Sequence, residues 1–152
     1  MATGKAQQRR TGIGQALMLA ADDFQRRLDA DLKARGVKGV NARHRAVILH
    51  VGRFGPCRAV ELAEAAGIRP QSMMKIVHEI EALGIVERTV DPQDSRAKRI
   101  AFTDRGQDFI NELARSTETV WEQYAAIAGT RRMNDTFDTL TRLLEHGESN
   151  NE

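Results

Sequence analysis

The side chains best suited to chemistry lie between Val60 and Thr103. Arg69-Pro70-Gln71-Ser72 opens a segment in which Lys75 and His78 follow at helical spacing. A Gln amide can grip adenine N6 and N7 together, Ser adapts to any base edge, and Arg or Lys suits guanine or phosphate oxygens. Further on, Arg96, Lys98 and Arg99 place three cations within four positions, just after the turn-rich run Asp91-Pro92-Gln93-Asp94-Ser95. Cations on a hairpin can lie along phosphates or enter a narrow minor groove, where negative potential is enhanced. Other chemistries have less to work with. His44, His50, His78 and His146 are scattered without metal-ligand spacing. Cys57 is the single cysteine, which excludes an internal disulfide and a cysteine zinc cluster, and nothing marks its thiolate as activated. Neither a nucleophile–base–acid arrangement nor a phosphate-cradling glycine loop is present, so no enzyme, cofactor or metal is expected.

These residues need elements to hold them. Ile13, Leu17, Ala21, Phe24, Leu28 and Leu32 fall at steps of three or four and predict one helical face, ending near Gly36. Asn41 caps a second predicted helix that buries Val47, Ile48 and Val51. A short helix from Arg58 to Ala66 follows, with Val60, Leu62 and Ala63 as apolar positions. Gly67 breaks it, and Pro70 suits the first turn of the next helix, where its missing N–H costs nothing. That helix should bury Met73, Ile76 or Val77, Ile80 and Leu83, and present Gln71, Ser72, Lys75, His78 and Glu79 outward. Small Ala63 would let the two helices cross closely, with Ile68 and Met74 filling the angle between them. Ile85–Val90 and Ala97–Phe102 read as two strands of a hairpin. Thr103 then caps a long helix bearing Phe109, Leu113, Val120, Tyr124 and Ile127, and a last helix spans 134–145 with Phe137, Leu140 and Leu144.

The 152 residues suit one core with helical extensions. No apolar run is long enough to cross a membrane, and no secretory leader is visible, so a cytoplasmic location is the default. Net charge is only +2, but its distribution is uneven. Residues 1–40 carry eight Lys/Arg against four acids, residues 41–103 ten against seven, and residues 104–152 five against ten. A basic first two thirds fits a polyanion partner. Two helices joined by a Gly turn occur in many all-α proteins. A basic hairpin directly after the second helix narrows the reading to the winged form of the helix-turn-helix.

Leu83-Gly84-Ile85-Val86-Glu87-Arg88, Asp91 to Arg99 and Phe102-Thr103-Asp104-Arg105-Gly106 together resemble the MarR family of bacterial regulators. That family's wing carries a D-P-x-D-x-R pattern closed by a Leu-Thr-x-x-Gly helix start, and Arg69 to Met73 resembles its recognition-helix openings. The resemblance covers roughly Ala42 to Gly106 by motif and the remainder by helix order. It implies a homodimer with intertwined terminal helices, which assigns Ile13–Lys33 and Phe109–Leu144 to a dimer interface. It implies that Asp94 fixes the wing loop by pairing with a basic neighbour, and that Arg96 enters the minor groove. Arg88 joins Arg69, Gln71, Ser72, Lys75, His78, Arg96, Lys98 and Arg99 as a candidate DNA-binding residue. Ser95 stands where the family often has a second basic residue, which implies a weaker wing tip. Phe102 replaces the usual Leu. Relatives that sense peroxide or zinc place their Cys or His elsewhere, so neither role is carried over to Cys57 or the four histidines. Trp121 and Tyr124 sit three apart and suit core packing better than an effector pocket.

The expected fold is mainly α with a small antiparallel β-hairpin. Residues 1–12 form a flexible tail, 13–40 an N-terminal dimerisation helix, 41–103 a winged helix-turn-helix, 104–146 C-terminal dimerisation helices and 147–152 a second tail. The expected function is that of a sequence-specific, ligand-responsive repressor that binds a pseudo-palindromic double-stranded operator. The resemblance implies a small aromatic or phenolic effector at a site the sequence does not locate. Two rivals remain: a non-specific architectural DNA binder, and a protein-interaction module on the same fold.

Overall fold

In a computed structural model, the backbone of residues 2–148 and the side chains of residues 11–146 are described. The elements run α1 (Ala2–Ala34), α2 (Ala42–Phe54), β1 (Cys57–Arg58), α3 (Ala59–Ala66), α4 (Pro70–Ala82), β2 (Val86–Asp91), β3 (Asp94–Phe102), α5 (Asp104–Ala128) and α6 (Thr130–Glu148). The three strands form one antiparallel sheet in the order β1-β3-β2. The result is a mainly helical winged helix-turn-helix, as the sequence predicts.

The core is built where the apolar periodicities converge. Val47, Ile48 and Val51 of α2 meet Leu62 and Ala63 of α3, Met73, Ile76, Val77 and Ile80 of α4, and Val86 and Ile100 of the sheet. Leu28 and Leu32 of α1 and Phe109, Leu113 and Val120 of α5 extend it. Each such side chain contributes about 1.5–3 kcal/mol by leaving water, far more than any helix-propensity difference, so burial decides where each helix lies. Asn41 caps α2 by accepting from the Arg43 and His44 amides at 3.0 and 3.3 Å. Pro70 occupies the first turn of α4.

Several boundaries differ from the sequence reading. The first helix begins at Ala2, so residues 2–12, expected as a tail, are helical. Their polar sequence has no apolar period to announce a helix. The last helix spans Thr130–Glu148 and takes in residues expected as loop and tail; residues 149–152 lie outside the described ones. Strand β1 is new: two residues carry no alternation to read, yet Cys57 pairs with Ile100 and Arg58 with Arg99. The expected five-residue turn shrinks to Pro92-Gln93, because Asp91 and Asp94 already pair across the hairpin. Ile68 and Val60 are exposed and Met74 is only half-buried, so Leu62, Ala63, Met73 and Val77 fill the helix angle instead. Ile13 and Leu17 of the α1 face are exposed in the single chain, as are Phe137, Leu140 and Leu144 of α6.

The end of the sheet is joined tightly to α5. The Thr103 hydroxyl donates to the Gly84 carbonyl at 2.5 Å and accepts from the Gly106 amide at 3.0 Å. A Cβ on Gly106 would sit 2.0 Å from the Ile85 carbonyl oxygen, a backbone atom that cannot swing aside. Gly106→Ala should therefore cost about 1–3 kcal/mol or more of folding stability in urea titrations, as overpacking does. Gly52→Ala is the control, since its Cβ would meet Phe102 and Ile110 at ordinary distances of 3.8 and 3.9 Å. Equal midpoints for the two variants would contradict the close-approach account.

Candidate nucleic-acid interface

Helix α4 is set by the turn that precedes it. Gly67 adopts the left-handed conformation at φ 63°, and the Ile68 amide reaches back to the Ala63 carbonyl at 3.0 Å. A residue with a Cβ enters this region only at a cost, which is why Gly punctuates the turn. Arg69 precedes the helix without capping it through its side chain. With Pro70 lacking an N–H, the first-turn amides of Gln71 and Ser72 remain as donors at the positive end of the helix dipole. Because α4 buries Met73, Ile76, Val77 and Ile80, its opposite side presents Gln71, Ser72, Lys75 and His78 to solvent, with exposed Arg69 at its start. Glu79, also expected to face outward, is instead drawn toward α2. It accepts from His44 Nε2 at 2.7 Å and lies 3.5 Å from the Arg43 guanidinium. The buried His44 ring accepts the Asn41 amide at Nδ1, so Nε2 is the donor. This bond, and then the Arg43 charge, hold the Glu79 carboxyl below its ordinary value. An anion of α4 is thereby tied back to α2.

The wing is organised by a residue the sequence reading passed over. Asp91 ends β2 at a bulge and is 1% exposed. Its carboxylate accepts the Gln93 amide at 2.9 Å and the Arg58 Nε at 2.7 Å, and it lies 3.2 Å from Arg99 Nε. The Gln93 amide, then Arg58, hold its carboxyl below the usual range. Asp94, expected to pair with a basic neighbour, does so loosely with Arg58 at 4.0 Å and also accepts the Arg96 amide at 3.1 Å. It shapes the tip, while Asp91 carries the closer ion pairs.

The nine candidate cations and polar groups therefore separate. Arg69, Gln71, Ser72, Lys75 and His78 are exposed on or beside α4, and Arg96 and Lys98 are exposed on the wing. Arg88 is exposed but pairs with Glu81 at 3.1 Å. Arg99 is half-buried and turned toward Asp91. Reading the sequence missed Arg58, Asp91, Arg43 and His44. The Asp91-Pro92 step was a legible turn signal, but nothing local announces a buried ion pair with a residue 33 positions away.

Residues 38–97 match the family model described as the MarR family. That stretch, which holds most of the winged helix-turn-helix, is similar to the MarR family. Among solved structures, RV1404 from Mycobacterium tuberculosis superposes with a TM-score of 0.75 at 18% identity, covering 90% of this chain and 92% of that one. A MarR mutant from E. coli gives 0.72 at 15% identity, covering 86% and 95%. A probable transcriptional regulator from Pseudomonas aeruginosa gives 0.69 at 20% identity, covering 86% and 96%. At such identities the likeness is one of fold, and it extends along the terminal helices as well as the winged unit.

Other candidate chemistry among the described residues is limited. Among the described residues no group of three or more His, Cys, Asp or Glu is placed to hold a metal ion, and no helix is long and apolar enough to cross a membrane. Trp121 lines an open groove with Leu49 and Ile110, whereas Tyr124 donates to Asp23 of α1 at 2.8 Å. Cys57 is buried in β1, and burial, then the Glu61 charge, push its thiol up to about 11.

Two predictions follow from these environments. Native Cys57 should react with an aromatic disulfide at pH 8 roughly a hundredfold slower than in urea, because both thiolate and access are lacking. A fast native reaction would restore the redox reading. Asp91 has a folded pKa below the ordinary 3.8, so its stabilisation is present above that value and is lost as the pH falls through the folded one. Asp91→Ala should lower the melting temperature at pH 7 more than Asp94→Ala does, and should flatten the decline below about pH 4. The reverse order would return the wing's anchoring to Asp94.

Proposed function

We propose that this protein is a sequence-specific DNA-binding regulator of transcription, acting as a homodimer and as a ligand-responsive repressor. The observation that carries the reading is the pairing of two exposed sets on one rigid unit. Gln71, Ser72, Lys75 and His78 project from α4 beside Arg69, and Arg96 and Lys98 project from the wing. The major groove admits one helix, with its N-terminal residues at base edges, while a basic hairpin beside it can reach phosphates or the minor groove. In this reading Gln71 and Ser72 read bases, Arg69, Lys75 and Lys98 neutralise phosphates, and Arg96 enters the minor groove. Arg88 and Arg99 contribute mainly by holding the wing. Residues 41–103 form the DNA-binding unit.

The homodimer is supported by what the single chain leaves uncovered. Ile13 and Met18 of α1 are 58% and 67% exposed, and Phe137 and Leu144 of α6 are 62% and 70% exposed. Large apolar side chains clustered on terminal helices mark an interaction surface. We assign residues 13–40 and 104–146 to dimerisation. Two-fold symmetry then places two α4 helices on half-sites about 10 bp apart. The effector is proposed to be a small aromatic or phenolic molecule, and the working location the cytoplasm.

A gel-shift titration against the DNA upstream of its own gene, at near-physiological salt with scrambled competitor, tests the reading. Competitor-resistant binding with a two-fold footprint is expected, with affinity falling steeply as salt rises. Binding lost equally to the competitor indicates an architectural protein, and none at low salt a protein-interaction module. Arg96→Ala should cost about 1–3 kcal/mol of operator binding while leaving the melting temperature unchanged. Arg99→Ala should instead lower the melting temperature. An Arg96 variant with full affinity removes the wing from the interface.

A further inference from the structure

A half-open apolar cavity of about 320 Å³ lies among α2, α3 and α4, on a different face from the groove beside Trp121. Its size falls within the range of small-molecule sites. Its origin is visible in the residue types. Buried Val47, Leu62 and Met73 form a floor, and the walls around it carry Ala46, Ala65 and Ala66. Larger side chains there would close the space. Ile68, which would otherwise plug the helix angle, is instead exposed at the cavity's edge.

The only charged residue of the lining is Arg43; no carboxylate belongs to it. Arg43 and His50 stand seven residues apart on α2, so both lie on the face that carries Ala46 and Val47. An apolar space with a cation at its rim selects a compact hydrocarbon body bearing one acid group. Two features connect such a ligand to α4. Met73 and Ile76 of α4 are part of the lining, and Arg43 is also an ion-pair partner of Glu79 on α4.

We propose that this cavity is a binding site for a compact apolar monoanion, with its hydrocarbon on Val47, Leu62 and Met73 and its acid group on Arg43. Occupancy packs against Ile76 and Met73 and competes with Glu79 for Arg43, so it bears on the seating of α4; its effect on DNA rests on the DNA-binding reading above. The site lies inside the reading unit, so a ligand there needs no motion of the terminal helices to be felt at α4.

The test uses full-length protein and adamantane-1-carboxylate as the probe, with neutral 1-adamantanemethanol for comparison, followed by amide NMR titration. Saturable shifts are expected at Val47, Leu62, Met73 and Ile76. Arg43→Gln should weaken the carboxylate by up to about fivefold, the reach of an exposed ion pair, and leave the alcohol unchanged. Ala66→Leu should weaken both at least tenfold by filling the space, and Ala46→Leu does the same from the opposite wall if the first variant folds poorly. Shifts confined to Leu49 and Trp121, or unchanged affinity in both filled variants, overturn the site. With upstream DNA, saturating carboxylate should weaken the gel shift of the wild type and not of Ala66→Leu. Saturable shifts with no effect on DNA refute only the coupling. A protein that binds no DNA while still binding the probe refutes the functional reading and leaves the site standing.

Discussion

The Asp91 carboxylate is the constraint on which the reading unit depends. Strands β1 and β3 place Arg58 directly across from Arg99, and like charges at such a pair destabilise a sheet. The carboxylate resolves the conflict by lying within 2.7 and 3.2 Å of the two guanidinium groups. The same carboxylate also holds the Gln93 amide of the hairpin turn. Removing the carboxylate leaves two guanidinium groups facing each other without their shared counter-charge, which is costly. Arg58 immediately precedes α3, whereas Asp91 and Arg99 belong to the hairpin. One anion thus links the start of the helix-turn-helix to the wing. The separation between α4 and exposed Arg96 and Lys98 is held by that link together with the packing of Val86 and Ile100 into the core.

Arginine is accordingly divided between two uses. Arg45 is buried against Asp29 and Gln25, and Arg27 and Arg35 bind Asp23 and Asp31 within α1 while also reaching Gln123 and Thr119 of α5. With Arg58 and Arg99 these side chains are structural, as a planar fork of donors allows. Arg69, Lys75, Arg96 and Lys98, with Arg53 of α2, face solvent around the winged unit. A net charge of +2 therefore says little about the field near α4, since many acids of the chain are neutralised by arginines that never face a ligand.

What could be read from the sequence follows the range of the interaction. Gly67, Pro70 and Asn41, and Thr103 in capping α5, act within four residues of their own position, and the structure uses each as expected. The stripe Met73, Ile76, Val77 and Ile80 was legible because burial repeats every turn. Strand β1 was not, since two residues have no period and owe their conformation to β3 more than forty positions later. Asp94 rather than Asp91 drew attention because a motif names residues without stating which one is buried. Ile68 looked like core from its type alone, yet its side chain lies beyond the helix angle that Leu62 and Met73 already fill.

The terminal helices pose a different kind of problem. Helix α1 has 33 residues, but among the apolar side chains described there only Leu28 and Leu32 are buried. Helix α6 has 19 residues and no buried residue at all among those described. Helices gain most of their stability from packing an apolar face, not from propensity. Within a single chain, Ile13, Leu17, Phe137 and Leu144 give up that gain. A second copy supplies it most economically, since α1 and α6 each carry an apolar stripe that ends in the same uncovered state. Spacing between two α4 helices would then be set by the packing of residues far from the DNA, while the Asp91 link keeps each wing in register with its own helix. Any change in how the terminal helices meet would move whole reading units and leave each one internally unchanged.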